Sequence, residues 1–249
     1  MASKSKGGVL ETIKTVIYAV AIAMVIRTFA YEPFNIPSRS MVPTLLVGDF
    51  LFVSKFSYGY SRHSLPFSPD LFDGRVLQSA PERGDVAVFK TPLDNETDFI
   101  KRVIGLPGDR IQMRDSVLYI NDEPVKRERV EDFEYIDASG RLRFIPQFRE
   151  TLPNGKSYLT LDESPRRPLD NTAVYSVPKG HYFMMGDNRD NSTDSRVPVR
   201  RNGVGFVPAE NLVGRADVLF FSIDTDFRWW KIWKVVTNIR YSRLGDLIE

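Results

Sequence analysis

One long apolar run stands near the start of the chain, and nothing like it follows. Residues 15–26, TVIYAVAIAMVI, are the longest uncharged apolar stretch, 12 residues in all. That length alone suits a secretory leader or a core helix. Extended to Val9–Tyr31, the segment is long enough as a helix, at ~1.5 Å per residue, to cross a hydrocarbon core of roughly 30 Å. The extension takes in Glu11, Lys14 and Arg27. Lys14 and Arg27 lie near opposite ends, where long side chains reach the head groups, and Glu11 falls in the first turn. The pattern predicts a single-pass anchor over residues 9–31. A cleaved leader competes, because TFA at 28–30 has the small-x-small shape of a cleavage site, but Arg27 just before it argues against cleavage. A buried helix is the third reading. Lys4, Lys6 and Lys14 precede the run, so residues 1–8 are expected in the cytoplasm and residues 32–249 outside.

After Tyr31 the period changes. DFLFVSKFSYGY (49–60), DVAVFKT (85–91), FIKRVIGL (99–106) and IQMRDSVLYIND (111–122) are rich in Val, Ile, Phe and Tyr and are broken by Gly, Pro and Asp, which predicts short strands. GLPGDRI reads as a tight turn into a strand, and DSVLYINDEPV as a strand ending in a hairpin turn. No long amphipathic pattern occurs between residues 32 and 225. The expected fold is mainly β: an N-terminal transmembrane helix, then a β-rich core over residues 32–110 and 176–225. Residues 111–175, charged and dotted with proline from 123 onward, read as an inserted smaller β subdomain with irregular strands. The C-terminal segment 226–249 carries three tryptophans among cations. It suits either a head-group layer or packing on the core.

Composition narrows the chemistry. The 249 residues carry 34 Lys+Arg against 32 Asp+Glu, a net charge of +2, which gives no general attraction to nucleic acid. Cysteine is absent, so disulfides, thiol catalysis and cysteine zinc sites are excluded. Two histidines, His63 and His181, exclude a three-histidine metal site.

Three stretches hold candidate chemistry. IPSRSMVPTLLVGDF (36–50) sets Ser38 and Ser40 between Pro37 and Pro43, a stiff non-helical turn suited to presenting a nucleophile. A serine nucleophile needs a base. His63, in a polar and aromatic loop, and His181, entering a strand, both suit structural roles, and the G-x-S-x-G elbow is absent. Lys101, in DFIKRVIGLPGD, shares a strand face with Phe99 and Val103, with Ile100 and Ile104 behind. Burial there would leave it neutral and basic, whereas an edge position would leave it an ordinary solvated lysine. The third stretch, GDNRDNSTDSR (186–196), crowds Asp187, Arg189, Asp190, Asp194 and Arg196. As an EF-hand loop starting at Asp187 it fails at positions 3, 6 and 12. An ion-pair network that sets a loop fits better.

Together, YEPFNIPSRSMVPTLLVGDF, RGDVAVFKTP, DFIKRVIGLPGD and GDNRDNSTDSR resemble the bacterial type I signal peptidases, the membrane-bound Ser-Lys endopeptidases of family S26. They occur in the family's order, behind a helix, and cover about a quarter of the chain. The resemblance implies Ser40 as nucleophile and Lys101 as general base. Ser38 would complete the oxyanion hole beside the Ser40 N–H, and Ser192 would orient the lysine. Arg102, Asp187, Asp194 and Arg196 would form supporting ion pairs. Phe34, Ile36, Pro37, Met41, Leu45, Phe99 and Ile100 would line shallow pockets for small residues before the cut. It also implies secretory preproteins as substrates, a lipid bilayer and proximity to the export translocon, and the bacterial inner membrane with the catalytic domain on its outer face. No metal, organic cofactor or nucleic acid is implied. One departure is Arg39 where the family often has glycine; it is expected to point to solvent or lipid phosphate. Two rivals stand beside this reading. A self-cleaving repressor would need a helix-turn-helix, and none precedes residue 32. A membrane-tethered β-rich binding protein would keep its function without Ser40.

Overall fold

The computed structural model describes residues 6–66, 68–136, 141–164, 166–224 and 235–248. Helix α1 (Lys6–Phe29) opens the chain. It begins before Val9, so Glu11 lies inside it rather than in its first turn, and it ends two residues short of Tyr31. Its stretch from Gly8 to Phe29 is long and apolar enough to cross a membrane, and apart from Thr28 near its end it is not buried against the protein. The hydroxyls of Thr12 and Thr15 donate to the carbonyls of Gly8 and Glu11 one turn back, so these polar groups are satisfied within the helix.

The body is mainly β. Its principal sheet has seven strands. They are β1 (Tyr31–Asn35), β2 (Asp49–Ser54), β3 (Val86–Lys90), β4 (Asp98–Gly105), β14 (His181–Met185), β15 (Val207–Pro208) and β16 (Leu212–Ser222). The order is β1-β2-β16-β3-β4-β14-β15, and every pairing is antiparallel. The expected strand over 49–60 stops at Ser54, where Lys55 turns inward to pair with Glu32. Along β4 the pairing is uneven. Asp98–Lys101 pair only with β3, whereas Arg102 pairs with both β3 and β14, and Val103 and Gly105 pair with β14. One edge of the first half of β4 is therefore open, and so is the outer edge of β1.

Between β4 and β14 the chain builds three further sheets rather than irregular strands. β5 (Arg110–Arg114), β6 (Val117–Ile120) and β7 (Glu123–Pro124) form a meander closed by β13 (Tyr175–Ser176). Its two tight turns fall at Asp115-Ser116 and Asn121-Asp122, all with positive φ, the hairpin geometry that Asp and Asn tolerate. β8 (Lys126–Arg129), β11 (Gln147–Thr151) and β12 (Ser157–Leu161) form the second sheet. β9 (Phe133–Ile136) and β10 (Leu142–Ile145) form a hairpin.

The sheets close over apolar clusters. Ile36, Met41, Leu45, Leu51, Val53, Val86, Val88 and Val213 pack beneath the turn that carries Ser40; each such side chain contributes roughly 1.5–3 kcal/mol when fully buried. The last residues are tied down as well. Asp49, wholly buried, accepts from Ser222 and pairs with Arg243. Trp229, Trp230 and Trp233, for which a lipid or core role was open, lie outside the described residues.

Candidate active site

The Ser38-to-Ser40 turn joins β1 to β2. Met41 and Leu45 anchor it, both fully buried in the cluster below. Two loop bonds hold its backbone from above: Asn188 N–H donates to the Ser40 carbonyl at 3.1 Å, and Asn188 Nδ2 to the Arg39 carbonyl at 3.1 Å. Arg39 has no positive φ, so its side chain costs no backbone strain. Its guanidinium lies over the Tyr135 ring at 4.9 Å instead of pointing only to solvent.

Lys101 Nζ lies 2.7 Å from Ser40 Oγ and donates to the Ile100 carbonyl at 2.8 Å. Ser38 Oγ is 3.3 Å from Ser40 Oγ. Lys101 is 4% exposed and Ser40 9%. Burial is the dominant influence on the amine and pulls its pKa from 10.5 to about 8, against the fields of Asp194 and Asp187. Among the described residues no carboxylate bonds to it directly, so desolvation wins. At neutral to mildly alkaline pH a substantial fraction is the free amine, which can accept the Ser40 hydroxyl proton.

The carboxylates around the site belong to arginines. Arg102 pairs bidentately with Asp187, Nε to Oδ1 at 2.9 Å and Nη2 to Oδ2 at 2.8 Å, and Thr44 Oγ1 donates to the same Asp187 at 2.6 Å. Arg196 pairs bidentately with Asp194 at 2.9 and 2.8 Å. Burial raises the Asp194 pKa and Arg196 more than reverses it. Arg189 pairs with Glu150 at 2.7 and 2.6 Å, and Tyr158 OH donates to Glu150 at 2.9 Å. Buried bidentate pairs of this kind fix a loop geometrically. Gly186 closes the arrangement: a Cβ there would stand 2.5 Å from the Ser40 carbonyl oxygen and overlap the Ser192 side chain.

Phe34, Ile36, Pro37, Phe99 and Ile100 line, with Ser38, Ser40 and Lys101, a cleft of about 540 Å³. It opens between the free edge of β1 and the unpaired half of β4. Met41 and Leu45 lie under this cleft rather than on its wall. Ser192 Oγ has no hydrogen-bond partner among the described residues, so the second bond of Lys101 goes to Ile100 and not to Ser192. His63 lines a different cavity, with its pKa lowered to about 4 mainly by burial, and His181 bonds the Lys179 carbonyl; neither bonds Ser40. Thr44, Asn188, Glu150 and Tyr158 were not legible as site residues. Asn188 lay inside a quoted motif, but Glu150 and Tyr158 come from strands whose local pattern carries no mark of pairing with Arg189.

A family described as signal peptidase, peptidase S26, matches residues 9–221. A signal peptidase I of Rickettsia typhi is 44% identical over 236 residues, 92% of this chain and 85% of that protein. A signal peptidase I of Rickettsia prowazekii is 46% identical over 221 residues, 86% of this chain and 80% of that one. A solved signal peptidase I from Enterococcus faecalis is 27% identical, with 55% of this chain and 97% of its own covered, at a TM-score of 0.31, too low to bear on the fold.

Proposed function

Because the chain belongs to the signal peptidase family, peptidase S26, we propose that it is a membrane-bound serine endopeptidase that removes signal peptides from exported preproteins after small-x-small sites, with Ser40 as nucleophile and Lys101 as base. The observation that carries the reading is the 2.7 Å approach of a buried, carboxylate-free amine to a turn-held hydroxyl. In this reading α1 anchors the enzyme in the inner membrane with its N-terminus in the cytoplasm, and the β body faces outward where signal peptides emerge. The preprotein lies extended between the open edges of β1 and β4. The shallow apolar wall formed by Phe34, Ile36, Phe99 and Ile100 favours small side chains.

Neutral Lys101 takes the Ser40 proton as Oγ attacks the scissile carbonyl. The Ser40 N–H and the Ser38 hydroxyl donate to the oxyanion. The lysine ammonium returns the proton to the departing amine as the C–N bond breaks. Water, deprotonated by the same amine, then releases the acyl-enzyme and restores Ser40. Ser192 and the pairs Arg102–Asp187 and Asp194–Arg196 hold the lysine's surroundings. The full chain in detergent, given a precursor whose signal ends in Ala-x-Ala, should cut once after the second Ala. Lys101→Ala should lose the cut. Cleavage that survives in Lys101→Ala would rule out the lysine as base.

A further inference from the structure

Three carboxylates outside the cleft meet at one point. Asp162 follows β12, Asp170 lies in the segment before β13, and Asp190 sits in the turn that joins Asn188 to Ser192. An oxygen from each lies within 4.8 Å of the others. Asp162 and Asp170 are 5% and 2% exposed. Among the described residues one cation is in contact with them: Arg127, paired with Asp162 Oδ2 at 2.5 Å. Arg167 gives Asp170 its backbone N–H and turns its guanidinium to Glu163, Asp190 accepts the backbone N–H groups of Glu163 and Ser164, and Arg196, paired with Asp194, acts on Asp170 only through its field. Three carboxylates against one contacting cation crowd negative charge into a largely dry place, which is costly: burial first, and then the neighbouring carboxylates, push the Asp170 and Asp190 pKa values up.

Two further atoms point to what would offset it. Asp162 Oδ1 is buried with no partner, and the hydroxyl of Ser116, a residue 3% exposed, makes no well-formed hydrogen bond among the described residues. Ser116 is held beside Asp170 by its own N–H, which donates to the Asp170 carbonyl at 3.1 Å, and its hydroxyl lies near enough to the Asp170 carboxylate to favour its charged form. We propose that Asp162, Asp170, Asp190 and Ser116 bind a divalent cation, calcium by preference. A calcium ion sits about 2.3–2.6 Å from its oxygens, so oxygens up to 4.8 Å apart can share one. The donors come from separate segments and their oxygens lie up to 4.8 Å apart, which suits calcium's longer bonds and tolerant shell better than magnesium's tight octahedron at about 2.0–2.1 Å. Bound there, the ion joins the inserted sheets to the turn that leads from Asn188, the residue bonded to the Ser40 carbonyl, to Ser192. Its role is to stiffen that loop; it takes no part in the reaction.

The test uses the full chain in detergent, stripped with a chelator and then titrated with calcium chloride to about 10 mM, above the ~10⁻⁴–10⁻³ M range of extracellular calcium modules. Equilibrium dialysis with calcium-45 should give one ion per chain, and the unfolding temperature should rise by several degrees. Asp170→Asn keeps an oxygen for the Arg167 N–H and removes one negative charge. It should fold, lose the bound ion and lose the calcium-dependent rise. Asp190→Asn, at a half-buried position, should behave alike and replaces it if Asp170→Asn does not fold. No binding by the unaltered chain, or binding unchanged in the variants, would overturn the proposal.

Discussion

Lys101 and Arg102 are adjacent, both almost wholly buried, and face opposite sides of β4. Burial acts on both in the same direction and ends in opposite results. For Arg102 the desolvation is more than reversed by the bidentate Asp187, and its pKa rises. For Lys101 no carboxylate among the described residues is in contact, and burial takes its pKa down to about 8. One residue of the pair is locked as a cation, and its neighbour is free to lose its proton. The alternation of a strand is what separates them.

The first expectation concerns pH. kcat/KM should rise with pH with a midpoint near about 8 and level off above it, because only the neutral amine accepts the serine proton. A profile flat from pH 5 to 9, read by initial rates on a peptide substrate, would remove Lys101 from the role of base.

Stability should follow the same group. The native pKa of Lys101 is about 8 against an ordinary 10.5, so the unfolded chain binds more protons across that window. Stability therefore rises with pH between those values, and the penalty is complete below about 8. Lys101→Met should be inactive, yet at pH 6 it should melt no lower than the unaltered protein. The gap should shrink toward pH 10. A clear loss of melting temperature at pH 6 would contradict this account of the burial.

Ser38→Ala should lower kcat roughly 100- to 1,000-fold with little change in KM, the usual consequence of losing one oxyanion donor. Steady-state kinetics decide it, and a change confined to KM would assign Ser38 to binding.

Asp187→Asn should cost about 3–5 kcal/mol of stability, because it leaves the Arg102 guanidinium buried beside a neutral amide. Chemical denaturation measures this. A change below about 1 kcal/mol would show that the other bonds of Arg102, to the Gly84 carbonyl at 2.8 Å and the Thr44 hydroxyl at 3.3 Å, suffice for it.

Gly186→Ala should lose about 1–3 kcal/mol from overpacking and lose more activity than its stability explains, since the added methyl presses on the Ser40 carbonyl and Ser192. The comparison is between melting temperature and kcat on one preparation.

Much of this was legible along the chain. The long apolar helix, the strands around Val86 and Lys101, and the paired serines are local patterns, and local patterns survive folding. The ends of elements were less legible. Residues 49–60 look like one strand, but an inward ion pair between Lys55 and Glu32 ends it at Ser54. Met41 and Leu45 have pocket-like chemistry, but packing against β2 and β3 takes them beneath the wall. Glu150 and Tyr158 were invisible because a strand residue's partner 39 positions away leaves no periodic trace. Arg39 looked free for the same reason, its partner Tyr135 being supplied by a distant hairpin.

The Arg189–Glu150 pair has a bearing on engineering. One member stands on the loop that holds the Ser40 turn and the other inside the inserted sheets, and both are almost wholly buried. The insertion is thus no cassette to be trimmed for a smaller soluble enzyme or exchanged between relatives. Any graft must carry both halves of that clasp, or replace both with apolar side chains of equal bulk.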